Sequence, residues 1–122
     1  MPRLLTSLIV TSLLSVAPAF AQDRPVVVEL FTSQGCSSCP PADEMFAALS
    51  EREDVIALAF HVDYWDYIGW KDPFGAPAHA ERQRAYAMTG GRTSIYTPEM
   101  IVNGKTDVVG AKPVELMEAI NK

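Results

Sequence analysis

Cysteine and histidine are scarce in this chain, which narrows the metal and disulfide chemistry that it can support. Its 122 residues contain two cysteines, Cys36 and Cys39, and two histidines, His61 and His79. One Cys-x-x-Cys pair supplies two of the four ligands of a structural zinc site, and the histidines lack the spacing that would complete it. No third cysteine is present to join distant segments. We therefore predict no resident metal and no cofactor.

Positive charge is also scarce. The chain has 10 Lys and Arg against 15 Asp and Glu, a formal net charge of −5 at pH 7. The basic residues form no stripe along any segment, which argues against nucleic acid or anionic lipid as a partner. No repeat, low-complexity tract or Gly/Ser linker divides the chain, so one small domain is expected.

The one long apolar run lies at the N-terminus and predicts a cleavable signal peptide over residues 1–21. Apolar residues dominate Leu4 to Val16, and Ala19-Phe20-Ala21 has the small-x-small form of a cleavage site. The run is short for a bilayer span, although an uncleaved anchor is the alternative. Cleavage after Ala21 would leave residues 22–122, without a membrane span, as a periplasmic or secreted domain. The sequence makes no prediction of its oligomeric state.

The two cysteines lie at a predicted strand–helix junction. They follow the apolar run Val26 to Phe31 and precede a helical pattern over Ala42 to Leu49. Unpaired N–H groups and the dipole at a helix N-terminus can lower a thiol pKa from about 8.5 to about 3.5–7.5. The pattern therefore predicts a reactive Cys36, with Cys39 within reach to resolve a mixed disulfide. A purely structural disulfide is the alternative, although so short a loop contributes only on the order of 2 kcal/mol.

The rest of the chain alternates between strand and helix patterns. Apolar runs predict three further strands and periodic patterns two further helices, separated by an ordered aromatic loop: strands Val55–Phe60, Glu99–Val102 and Thr106–Val109, helices Ala78–Met88 and Val114–Ile120, loop Tyr64–Pro77. Asn103-Gly104 is a hairpin turn signal. The order β-α-β-α-β-β-α predicts an α/β domain with a mixed sheet flanked by helices.

These features together resemble thioredoxin. The resemblance rests on the Cys-Ser-Ser-Cys junction, on Thr97-Pro98 before the third strand and on the element order, and it covers almost all of the mature chain. Residues 28–43, His61 to Trp65 and Tyr96 to Met100 are more particularly similar to a secreted bacterial thioredoxin-like family known as a domain of unknown function. The resemblance implies a thioredoxin-like fold and thiol–disulfide chemistry. Members of that family run on beyond the last predicted helix, whereas this chain stops at Lys122.

The resemblance also implies roles for individual residues. Cys36 corresponds to the nucleophile and Cys39 to the resolving cysteine. Pro98 matches a cis proline that exposes the backbone of Thr97 to an extended substrate segment. Glu29 matches a buried carboxylate that assists proton transfer at the resolving cysteine. Exposure to solvent or an ion pair is the alternative for Glu29.

Two features beside the cysteines are less regular. The loop before them is one residue longer than in thioredoxin, and Gly35 replaces the tryptophan that commonly precedes the first cysteine. His61, Asp63 and Trp65 fall at the C-terminal end of a strand, where open α/β sheets bind ligands. They could shape a substrate groove, or the aromatic residues of this loop could simply cover the core.

The sequence thus predicts an exported thiol–disulfide oxidoreductase that exchanges disulfides with protein thiols through Cys36. A thioredoxin-fold binding protein with a structural disulfide is one alternative. A protein that handles Cu(I) with both thiolates is the other, because soft sulfur ligands suit that ion.

Overall fold

The computed structural model describes residues 24–122, and the predicted signal peptide lies outside them. The element order is the predicted one: β1 Val26–Thr32, α1 Pro40–Leu49, β2 Val55–His61, a 3₁₀ turn Asp66–Ile68, α2 Pro77–Thr89, β3 Glu99–Val102, β4 Thr106–Val109 and α3 Pro113–Ile120. Among the residues described, no helix is long and apolar enough to cross a membrane.

The four strands form one mixed sheet in the order β2-β1-β3-β4. β1 pairs in parallel with β2 and antiparallel with β3, and β3 pairs antiparallel with β4. The β3–β4 turn has φ angles of 49° at Asn103 and 68° at Gly104, the positive values that the Asn-Gly signal predicts. This α/β architecture is consistent with a thioredoxin-like fold. Its topology brings the end of β1 beside the start of β3.

One face of the sheet is an apolar layer beneath α1 and α3. Alternate residues of β1 and β3 point into it, as the two-residue period of a strand requires. Its buried members come from all four strands and both helices: Val28, Leu30, Ala42, Phe46, Leu49, Val55, Met100, Val102, Val108, Leu116, Ala119 and Ile120. This layer fixes the angle at which α1 leaves the disulfide loop.

The opposite face packs against α2 and contains fewer apolar groups. Its buried cluster consists of Phe31, Val62, Ala80 and Ile101. Partly buried aromatic residues surround this cluster, and two of them belong to the loop that follows β2: Phe60, Tyr64, Trp65 and Tyr86. The aromatic loop is therefore attached to the fold through this second cluster.

The apolar run Val55–Phe60 also predicts that the second strand is buried, and that prediction is wrong. Within residues 24–122, β2 is an edge strand that pairs with β1, and Ile56 and Leu58 are exposed. The run is uniformly apolar, so its pattern does not distinguish an edge strand from a central one. Val55 is buried on the apolar face, whereas α2 leaves the first half of β2 uncovered on the other face.

Candidate active site

The disulfide loop lies between β1 and α1. Cys36 and Cys39 form a disulfide with their Cα atoms 5.4 Å apart. Two consecutive backbone turns shape the loop, because the Cys36 N–H donates to the Ser33 carbonyl (3.1 Å) and the Cys39 N–H donates to the Cys36 carbonyl (3.2 Å). Thr32 at the end of β1 donates its hydroxyl to the Asp43 carboxylate of α1 (2.6 Å). The loop is thus held at both of its ends.

The structure changes the expected support for a Cys36 thiolate. Cys39, not Cys36, is the N-cap of α1, and Pro40 and Pro41 occupy its first positions. Prolines fit there because they need no N–H partner, but for the same reason they offer none to a thiolate. Two of the helix donors that the sequence argument relied on are therefore missing. Cys36 lies in the preceding turn.

Both cysteines are buried in the structure. The position of Cys36 before the helix predicts a solvent-facing side chain, but Cys36 is only 3% exposed and Cys39 is fully buried. The Ser38 hydroxyl lies 3.6 Å from the Cys36 sulfur and is the donor of that contact, since a disulfide sulfur carries no hydrogen. Ser38 adds no charge that would strongly stabilise a thiolate at Cys36, but its hydroxyl supplies a polar contact to that sulfur.

A buried carboxylate holds the segment that leads to the disulfide. Asp72 is 1% exposed, and its carboxylate accepts hydrogen bonds from the Gln34 N–H (2.8 Å), the Phe74 N–H (2.9 Å) and His61 Nδ1 (2.6 Å). Burial alone would raise the pKa of Asp72, but these three hydrogen bonds hold that pKa below its ordinary value. Asp72 thereby joins the aromatic loop, β2 and the disulfide loop through one charged group.

Trp65 connects the disulfide loop to the segment before β3. Its indole N–H donates to the Thr97 hydroxyl at 2.7 Å. A Cβ atom at Gly35 would lie 3.1 Å from the Cβ of Trp65 and 3.3 Å from Ile68 Cδ1, so a side chain at this position would crowd the aromatic loop. Asp63, grouped with Trp65 by the sequence, makes no side-chain contact with the disulfide loop among the described hydrogen bonds.

The Thr97–Pro98 peptide bond is cis, as predicted. Glu99, the first residue of β3, pairs with Phe31 near the end of β1. Continuing that antiparallel register places Pro98 opposite Thr32, at the edge of the sheet where the disulfide loop begins. The substrate-binding role of Thr97 and Pro98 stays a prediction.

Glu29 is buried on the α2 face of β1. Arg82 Nε donates to its carboxylate at 2.6 Å, and the Tyr86 hydroxyl donates to its other oxygen. The hydrogen bond with Glu29 raises the pKa of Arg82, and burial raises the pKa of Tyr86. Glu29 therefore forms an ion pair with Arg82, which was the alternative to its role in proton transfer. A role in proton transfer at Cys39 stays a prediction.

The aromatic loop divides into a packed part and an exposed part. Tyr64 and Trp65 pack on the second core cluster, as the core-covering interpretation expects. Tyr67 is 80% and Trp70 is 61% exposed, which that interpretation does not explain. The indole N–H of Trp70 donates to the Gln34 side chain at 2.8 Å.

Comparison with known proteins identifies a family and a related structure. The sequence model of a family described as "Protein of unknown function (DUF1223)" matches residues 27–122. No curated protein matches the chain. The chain is similar to an X-ray crystal structure of protein AGR_C_4864 from Agrobacterium tumefaciens, with 45% identity over 83% of this chain and a TM-score of 0.77. It spans 46% of the length of that protein.

Proposed function

This chain belongs to the DUF1223 family of proteins of unknown function, and we propose that it is an exported thiol–disulfide oxidoreductase acting on protein thiols or disulfides through Cys36. The observation that carries the proposal is the Cys36–Cys39 disulfide in a turn beside Pro98. Export rests on the sequence of residues 1–21. An oxidising compartment would allow the disulfide to form and persist.

The proposed reaction proceeds in two exchanges. A thiolate of the partner protein attacks Sγ of Cys36, which forms an intermolecular disulfide and releases the Cys39 thiolate. A second partner thiolate then attacks the partner sulfur of that bond and releases the Cys36 thiolate. The partner dithiol becomes a disulfide and two electrons pass to the cysteine pair. The reverse sequence reduces a partner disulfide.

Burial supports attack at Cys36 rather than at Cys39. Of the two residues, only Cys36 retains exposed surface. Its leaving group, Cys39, is the N-cap of α1 and is held by that helix, since the Asp43 N–H donates to the Cys39 carbonyl at 2.9 Å. The exchange can therefore open the disulfide while the helix stays in place.

The pH dependence of alkylation tests the proposal. In the reduced Cys39→Ser variant we expect Cys36 to react with iodoacetamide with a midpoint below about 8.5, the value of a free cysteine. The matched Cys36→Ser variant, which retains the buried Cys39, should react slowly throughout. The Cys39→Ser variant should also accumulate mixed disulfides with partner proteins. Alkylation of Cys36 no faster than that of free cysteine at mildly acidic pH would reject the enzymatic proposal.

A binding protein with a structural disulfide is the second candidate, and the burial of both cysteines favours it. Equilibration of the Cys36–Cys39 pair with glutathione separates the two. A reduction potential below about −300 mV would identify a structural bridge, and a higher one an exchangeable pair. The Cu(I) alternative depends on the same two sulfurs, and stoichiometric binding in a Cu(I) titration of the reduced protein would support it.

A further inference from the structure

Four large apolar side chains of the aromatic loop are exposed, and three of them lie beside the disulfide loop. Tyr67, Ile68 and Trp70 are exposed over half or more of their surface; we call them the aromatic surface. Soluble domains seldom expose contiguous apolar patches without a partner. We infer that this surface binds the apolar side chains that flank the reacting cysteine of a polypeptide substrate. The inference rests on the proposed oxidoreductase function.

Each member of the aromatic surface is tied to the site by a specific contact. Ile68 lies against Gly35, the residue before Cys36. Trp70 is hydrogen-bonded to the Gln34 side chain at 2.8 Å. The ring of Tyr67 is stacked on that of Trp65, with centroids 6.5 Å apart, and Trp65 in turn is bonded to Thr97. Two members of the aromatic surface thus contact the disulfide loop directly, and the third is joined through Trp65 to the segment before Pro98.

The arrangement leaves much of the surface of these side chains exposed for a ligand. The Trp70 indole satisfies its one donor on Gln34 and leaves much of its apolar ring exposed. Aromatic side chains held in this way offer a large contact area with little loss of rotamer entropy, which is why they dominate binding surfaces. The Asp72 contacts with Gln34 and Phe74 hold the base of the same loop, so the surface is formed before a partner arrives.

The geometry of a mixed disulfide specifies what covers the surface. Two cysteines joined by a disulfide have Cα atoms about 4.4–6.8 Å apart. The residues next to the partner cysteine must therefore lie on the surface that surrounds Cys36, which includes Gly35 and the side chains packed on it. Aromatic or large aliphatic residues at those partner positions would cover the exposed rings. Polar residues there would leave the rings in water.

Two synthetic peptides test this inference. Both contain one cysteine activated as a mixed disulfide with a chromogenic aryl thiol; in one the flanking residues are Phe and Leu, in the other Ser and Gly, at equal net charge. The Cys36 thiolate of the reduced Cys39→Ser protein attacks the peptide sulfur, forms the protein–peptide disulfide and releases the aryl thiolate. The measured quantity is the ratio of the two second-order rate constants.

We call the Cys39→Ser protein without further substitutions the parent protein. With it, we expect the Phe/Leu peptide to react about tenfold faster than the Ser/Gly peptide. In the Tyr67→Ala/Trp70→Ala variant the ratio of the two rate constants should fall toward the ratio measured when a short cysteine peptide, instead of the protein, is the attacking thiol. A merely structural defect would slow both peptides alike and leave the ratio unchanged. Met88→Ala, which truncates an exposed apolar side chain of α2, is the matched control and should keep the parent ratio.

The outcomes separate this inference from the function beneath it. Equal rates for the two peptides in the parent protein, or an unchanged ratio in the double variant, would overturn the inference and leave the proposed function standing. Failure of Cys36 to release aryl thiolate from either peptide would reject the proposed function, and the inference with it. Circular dichroism of each variant confirms that the rates compare folded proteins.

Discussion

The two faces of the sheet are constructed from different chemistry. The face beneath α1 and α3 is a continuous apolar layer. The face beneath α2 has two buried carboxylates, Glu29 and Glu99, at the positions next to its apolar cluster. Each carboxylate pairs with an arginine, Arg82 at 2.6 Å and Arg92 at 2.8 Å. Apolar contact is non-directional, whereas hydrogen bonds and ion pairs specify geometry.

The hydrogen bonds of the α2 face position the segment that contains Thr97 and Pro98. Gln83 of α2 is fully buried and donates to the Tyr96 carbonyl at 2.6 Å and to the Glu99 carboxylate at 3.1 Å. Its carbonyl oxygen accepts from the Tyr64 hydroxyl at 2.8 Å. The residues on both sides of Thr97–Pro98 are therefore bonded to one side chain. We conclude that the apolar face supplies stability, while the α2 face positions the segment beside the disulfide.

The largest effect should come from the apolar face. Leu30→Ala removes a 1%-exposed side chain between α1 and α3. We expect a loss of about 3 kcal/mol in the free energy of unfolding. The variant loses the transfer free energy of the removed methyl and methylene groups, and the cavity left behind adds a further cost. Urea unfolding measures it, and Val114→Ala at an exposed position of α3 is the control. A loss below about 1 kcal/mol would contradict the assignment of stability to this face.

Gln83→Leu should have an intermediate effect on stability and a separate effect on the site. Leucine fills much of the same volume but leaves the Tyr96 carbonyl and the Tyr64 hydroxyl without their partner. Each buried polar group left unpaired costs about 1–3 kcal/mol, so we expect a loss of about 2 kcal/mol after relaxation. Disulfide exchange with a peptide should slow by more than exchange with a small thiol, because Thr97 shifts.

The matched control for that variant is Arg84→Ala, which changes an exposed residue one position along the same helix. It should alter neither stability nor the peptide rate. If Gln83→Leu slowed both exchange reactions equally, the α2 face would have no particular influence on the substrate-facing segment, and the contrast between the two faces would reduce to stability alone.

Local signals in the sequence predict most of the fold. β3 and β4 have the bounds predicted for them, because Asn103-Gly104 specifies their turn and the strands flanking it are short. The helix predicted over Val114–Ile120 begins one residue earlier, at Pro113, since a proline at the first helical position needs no partner for an N–H group. These features depend on neighbours in the chain, which a single sequence contains.

The parts of the site that were missed depend on contacts between distant segments. The Asp72-Pro73 pair is a turn signal and accounts for the bond from the Phe74 N–H, but nothing local indicates the bond to Gln34, 38 residues away. The burial of Cys36 likewise follows from packing around the disulfide loop. The cysteine motif is readable from the sequence, and its accessibility is not.

The smallest effect should come from Glu99→Gln. The pH dependence of this effect shows whether burial or the hydrogen bonds and charge of its partners dominate the pKa of Glu99. Burial raises the pKa of Glu99, while hydrogen bonds and charge from Gln83 and Arg92 oppose that rise. Because the folded pKa exceeds the unfolded value of about 4.3, the folded state binds more protons. The resulting stabilisation is complete below pH of about 4.3 and is lost as the pH rises through the folded pKa.

Glutamine does not titrate. The stability of the wild type relative to Glu99→Gln, measured by urea unfolding, should therefore fall as the pH rises through the folded pKa of Glu99. Glu115→Gln on α3 is the exposed control. A relative stability that instead grew with pH would mean that Arg92 outweighs burial, and the α2 face would then contribute stability through charge.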